Sequence, residues 1–142
     1  MSLDMLGQLN WLAVVVGGLA YFVLGALWFA RPVFGRAWRR SVGWDDSRPD
    51  PAVNPATYVI PLLAFLVMGA ATGMLAAATG SSDLNGGITL GLVLGVGYAL
   101  ARTAVDATFS PNTPHPWVWF AISGGYHLVG VLVMTVIIVL WQ

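Results

Sequence analysis

Tyr98, Arg102 and Asp106 stand four residues apart in an otherwise apolar segment, and Ser123 and His127 repeat that spacing in the next one. Residues at this spacing share one face of a helix, so each set reads as a stripe. A guanidinium, a carboxylate, an imidazole and two hydroxyls can hold an anionic or polar ligand or handle protons. Ionisable groups inside a membrane helix are functional-site candidates, because their desolvation needs a compensating partner. Arg102 and Asp106 form an i,i+4 pair of opposite sign, which lowers the cost of burying either. The plainer alternative is a structural polar network that locks helix register through interhelical hydrogen bonds. His127 would titrate near neutrality where water reaches it, whereas a buried, hydrogen-bonded imidazole has a structural role. No metal site is expected, since His115 lies in a loop away from His127 and no third ligand has metal spacing. The chain has no Cys, which removes disulfides, thiolate ligands, covalent haem and cysteine nucleophiles. No nucleophile–base–acid arrangement is visible, so no catalytic residue is assigned and no cofactor is implied.

Four apolar stretches must position these residues, at about 11–30, 58–79, 86–107 and 117–141. Each is long enough for an α-helix to cross about 30 Å of hydrocarbon. With 58% hydrophobic and 8% charged residues, the chain lacks the polar coat of a soluble domain. The expected fold is all-α: a polytopic membrane four-helix bundle forming a single transmembrane domain over 1–142. The first stretch has no basic n-region and no clear cleavage site before Arg31, so it is read as a retained helix. In the third, Gly87, Gly91, Gly95, Tyr98, Arg102 and Asp106 are read as one face turned toward protein. Small residues at this spacing let helices approach closely, replacing the hydrophobic drive that is absent within hydrocarbon. Taking Ala107 and Trp117 as level, Tyr98 and His127 both lie roughly 14 to 15 Å deep at 1.5 Å per residue, and Arg102 comes level with Ser123. One intramembrane cluster of Tyr98, Arg102, Asp106, Ser123 and His127, enclosed by the third and fourth helices, is therefore expected.

Arg31, Arg36, Arg39 and Arg40 follow the first stretch, and only Asp4 precedes it. The positive-inside rule then places the 31–56 loop in the cytoplasm and both termini outside. Trp11 and Trp141 would mark one interface and Trp28, Trp117 and Trp119 the other. Within the loop, Arg36, Trp38, Arg39 and Arg40 read as a short interfacial helix along the inner leaflet. Its guanidinium groups would meet lipid headgroups while Phe34 and Trp38 dip into the acyl boundary; the simpler role is to fix topology. Asp45 to Pro55 reads as an irregular polar connector. Zero formal net charge, with no Lys, argues against a nucleic-acid surface. Gly17-Gly18, Gly25 and the GxxxG step Gly69–Gly73 read as packing surfaces, and a face left unused would favour a homo-oligomer.

Asn10-Trp11-Leu12-Ala13, Leu24 to Phe29 running into Pro32-Val33-Phe34-Gly35-Arg36-Ala37-Trp38, and Gly125-Tyr126-His127-Leu128 resemble the bacterial domain of unknown function 1761 family. The resemblance covers almost the whole chain, although Phe29-Ala30-Arg31 replaces the usual Tyr-Gly or Tyr-Ser step before the proline. It implies a small four-helix protein of the bacterial cytoplasmic membrane, and no activity. Three readings follow from the sequence. The leading one is a non-enzymatic integral membrane protein, working as a small oligomer or as an accessory subunit of a membrane complex. The second is a small transporter or channel using Arg102, Asp106 and His127. A lipid-binding or lipid-modifying membrane protein is the third.

Overall fold

The structure, a computed structural model, describes residues 2–45, 47, 52 and 54–141. Much of the polar connector lies outside the described residues. A 3-10 turn (Leu3–Gln8) precedes α1 (Trp11–Trp28), and a π turn (Arg31–Gly35) leads into a short α2 (Arg36–Ser41). Next come α3 (Ala56–Thr79), α4 (Leu84–Leu94), a second π segment (Gly95–Leu100), α5 (Ala101–Thr108) and α6 (Pro116–Leu140). Four helices are long and apolar enough to cross a membrane: Trp11–Trp28, Ala56–Thr79, Leu84–Thr108 and Pro116–Leu140. The third of these is the continuous run of α4, the π segment and α5.

Local chemistry sets the helix ends. Asn10 caps α1 by accepting from the N–H groups of Leu12 and Ala13 at 3.1 and 3.2 Å. Its side-chain amide donates to the Trp141 carbonyl at 2.6 Å, tying the start of the first span to the end of the last. Asp83 caps α4 by accepting from Gly86 N–H at 2.7 Å, which starts the third span earlier than its apolar run. Gly80, at φ 68°, ends α3 in the left-handed conformation that suits glycine. Beyond α2, Ser47 donates through its N–H and its hydroxyl to Asp45 at 2.9 and 2.6 Å, holding that carboxyl below the usual carboxylate range.

Helix α6 is the centre of the molecule: 56% of its most apolar window is buried, against 22 to 28% in the other three spans. It packs along α1 on one side and along α4 and α5 on the other, while α3 packs mainly on α1. The spans thus form a fan in the order α3, α1, α6, third span, with an open face between α3 and the third span. The GxxxG step of α3 is used inside the chain: a Cβ on Gly69 would come within 3.2 Å of Val14, and one on Gly73 within 3.1 Å of Leu9.

The third span turns a different edge inward from the one its spacing predicts. Gly87, Gly91 and Gly95 are buried, but the stripe continues through Thr103 and Ala107, while Tyr98 and Arg102 are exposed. The cause is the π segment at Gly95–Leu100. Hydrogen bonds spanning five residues widen the turn, so the residue four on from Gly95, Ala99, returns to the packed face and Tyr98, three on, is carried round to the outside.

In the core, the fully buried Tyr21 stacks on Phe65 at 4.0 Å between ring centroids and meets Tyr126 edge-on at 5.3 Å. A Cβ on Gly130 would overlap the Tyr21 ring, so Gly130 is the notch in α6 that admits it. Gly130→Ala should therefore destabilise the protein by about 1–3 kcal/mol, the usual range for overpacking. Gly97→Ala, whose Cβ meets nothing within 4 Å, should leave stability intact or raise it by up to about 1 kcal/mol. Thermal unfolding in detergent compares the two.

Candidate functional site: an aromatic clasp between α1, α2 and α6

Tyr21, Gly25 and Trp28 lie on one face of α1 at steps of four and three, and Ser123, Tyr126, His127 and Gly130 face them from α6. The Tyr21 hydroxyl lies 2.7 Å from His127 Nδ1 and 3.3 Å from the His127 carbonyl oxygen. It donates to the imidazole when Nδ1 is unprotonated, or accepts from Nδ1–H and donates to the carbonyl in the other tautomer. In return the Tyr126 hydroxyl donates to the Tyr21 carbonyl at 3.2 Å. It reaches that carbonyl across Gly25, where a Cβ would lie 2.7 Å from the phenol oxygen.

Two indoles extend this zipper toward the arginine-rich end. Trp28 Nε1 donates to the Ile122 carbonyl at 3.0 Å, and Trp38 Nε1 donates to Ser123 Oγ at 3.2 Å. Trp38 reaches α6 because the chain doubles back after α1. Gly35 N–H bonds to the Ala30 carbonyl at 3.0 Å, closing the π turn, and a side chain on Gly35 would collide with the Phe29 carbonyl. Phe29 packs edge-on against both Trp38 and Tyr126, at 5.6 and 5.1 Å, and Trp28 lies 4.8 Å from Phe34. The buried Ser41 donates to the Trp38 carbonyl at 2.6 Å, and its own carbonyl accepts from His115 N–H at 3.1 Å, fastening α2 to the start of α6. The neighbouring α1 and α2 thus close with the distant α6 into one clasp.

The five residues expected to converge divide into two groups. Ser123 and His127 belong to the clasp, where their partners are Trp38 and Tyr21. Arg102 and Asp106 pair with each other on the outside of α5, with side chains 69% and 41% exposed, and Tyr98 is 72% exposed. Among the described residues, no hydrogen bond or ion pair joins these three to Ser123 or His127. The neighbour of His127 differs from the expected one, because α1, not the third span, supplies the phenol that meets it. Trp38 turns its indole into protein, contrary to the expected dip into lipid. Arg36 and Arg40 are exposed, and Arg39 lies over the Trp44 ring at 4.6 Å. Among the described residues, no group of three His, Cys, Asp or Glu could hold a metal.

Residues 12–139 match the family described as protein of unknown function (DUF1761). The chain belongs to the DUF1761 family. No curated protein and no solved structure matches it. In this DUF1761 chain the opening block supplies the α1 cap, the aromatic-Pro-aromatic-Gly turn supplies Trp38, and the Tyr-His pair of the last span receives Tyr21. The residues that carry the resemblance therefore meet at the two ends and the middle of one helix pair. Tyr21 was missed as a partner for His127. The available signal was a lone phenol amid aliphatic residues of a membrane span, with glycines at positions 17, 18 and 25 to let another helix come close.

Removing the Tyr21 hydroxyl should cost what an interhelical hydrogen bond in a membrane is worth, roughly 0.6 kcal/mol and at most about 1.7. Tyr21→Phe should destabilise the detergent-solubilised protein by that amount, read as a lower thermal midpoint. Tyr98→Phe should leave it in place.

Proposed function

We propose that this DUF1761 chain is a non-enzymatic integral protein of the bacterial cytoplasmic membrane, working as a small homo-oligomer or as an accessory subunit of a membrane complex. The observation that carries the reading is the pairing of Tyr21 with His127. A phenol and an imidazole with the chemistry of an acid–base pair are directed at each other, at backbone carbonyls and at packed aromatic rings. Such a network holds α1 and α6 in one register, which is how polar groups between membrane helices commonly act. Nor does the Arg102–Asp106 pair support a route for ions, because it stands on the outside of its helix.

In this reading the clasp and the connector face the cytoplasm and both termini face outward. The four arginines after α1 favour that sidedness, since basic loops are retained inside. Arg36 and Arg40, exposed beside the clasp, meet lipid phosphates at the inner leaflet, with Arg39 held over Trp44.

The absence of cysteine makes both halves testable. Ser47→Cys should react with a membrane-impermeant maleimide only in inverted vesicles, and Ser82→Cys only in intact spheroplasts; the reverse pattern overturns the topology. Chemical cross-linking in membranes, followed by native mass spectrometry, should show a discrete oligomer or a stoichiometric partner. A chain that stays monomeric and alone in both measurements overturns the assembly reading.

A further inference from the structure

The open face of the fan is a groove of about 420 Å³ between α3 and the third span, floored by α6. Met68 and Leu75 line one wall, Leu94 and Ala99 the other, and Val131 and Met134 the floor. At the terminal end the walls come together, where Ala76 of α3, Leu90 of α4 and Val139 of α6 pack into one small core. From there the groove runs toward the arginine-rich end, where Arg102 is the charged residue in its lining and Tyr98 stands beside it.

We propose that this groove is a binding site for one anionic phospholipid of the surrounding leaflet, with an acyl chain along the apolar walls and the phosphate on Arg102. The lining is apolar at the closed end and cationic at the open end, which is the polarity of an anionic amphiphile entering tail first. Its volume lies within the range of small-molecule sites.

Arg102 is suited to the headgroup by both reach and partner. It sits six residues before the end of α5 at Thr108, roughly 9 Å along the axis at 1.5 Å per residue. An arginine at that depth extends its guanidinium toward the interface. Asp106, one turn nearer the same end, draws it there by pairing with Nη1. Nε and Nη2 keep their donors without a protein partner among the described residues, and a guanidinium fork binds phosphate oxygens in pairs. Asp106 lies outside the groove lining, so it orients the arginine without placing a carboxylate against the phosphate. A helix of a second copy would have to bring a carboxylate to Arg102 and small residues to the narrow end, whereas the bilayer supplies the lipid at every moment.

The inference stands apart from the assembly reading above, since subunit number and sidedness do not enter it. Full-length protein in detergent, titrated with phosphatidylglycerol and with phosphatidylcholine, is read by native mass spectrometry. The unaltered protein should retain one phosphatidylglycerol per chain in preference to phosphatidylcholine. Arg102→Gln should lower phosphatidylglycerol retention roughly fivefold, the effect of one basic residue at a lipid surface, and leave phosphatidylcholine retention unchanged. Ala71→Phe, which fills the groove wall, should lower both. Arg102 is exposed, so its variant folds and decides the matter alone if Ala71→Phe reduces yield. Equal phosphatidylglycerol retention in Arg102→Gln and unaltered protein overturns the proposal. So does an Ala71→Phe protein that loses a dimer while keeping its lipid, which makes a second copy the occupant.

Discussion

In hydrocarbon, helices gain almost nothing by hiding apolar side chains from lipid, so a membrane bundle is held by close fit and by the polar groups it shares between helices. The seating of the Tyr21 ring on Gly130 is where this chain meets both demands. The missing side chain at Gly130 lets α1 and α6 approach until the phenol is wholly buried, and the approach brings its hydroxyl to the His127 imidazole. One ring thus makes both contacts. Phe65 closes the far face of the same ring, so α3 is positioned by it as well.

From that seat the order of the remaining elements follows. With α1 and α6 in register, Tyr126 crosses Gly25 to the Tyr21 carbonyl, and Trp28 falls opposite Ile122. The π turn after α1 then has to bring Trp38 to Ser123, and Gly35 permits the tight contact with Phe29 that this requires. On the other side of α6, the buried glycines of α4 bring the third span close. Because α6 serves as the common wall, α3 and the third span need not pack on each other along their length, and a groove stays open between them.

Helix class, number and limits were legible in the residues. Twenty-odd apolar residues in a row admit no other membrane-length structure, since every backbone polar group must be satisfied within the segment. Asn10, Gly80 and Asp83 are local signals of helix ends, and their capping bonds lie within a turn of each residue. Likewise Gly87, Gly91 and Gly95 announced a close contact. The prediction failed one turn later, at Tyr98. A π segment is a small energetic choice decided by what the helix packs against, and inserting it rotates every following side chain. Periodicity assumes a constant turn, so Arg102 and Asp106 were assigned to the wrong side.

Sequence alone therefore determined that this chain forms four apolar spans with an arginine-rich segment after the first, and that His127 and Ser123 need partners. Composition, length and capping act within a few residues and survive without knowledge of neighbours. Only the tertiary structure decided which partners these are. His127 lies 106 positions from Tyr21, and Ser123 lies 85 from Trp38. The choice between Tyr21 and Tyr98 depends on which helix flanks α6 on which side. That arrangement rests on the fit of glycine notches to rings across the whole bundle, a property no single segment carries.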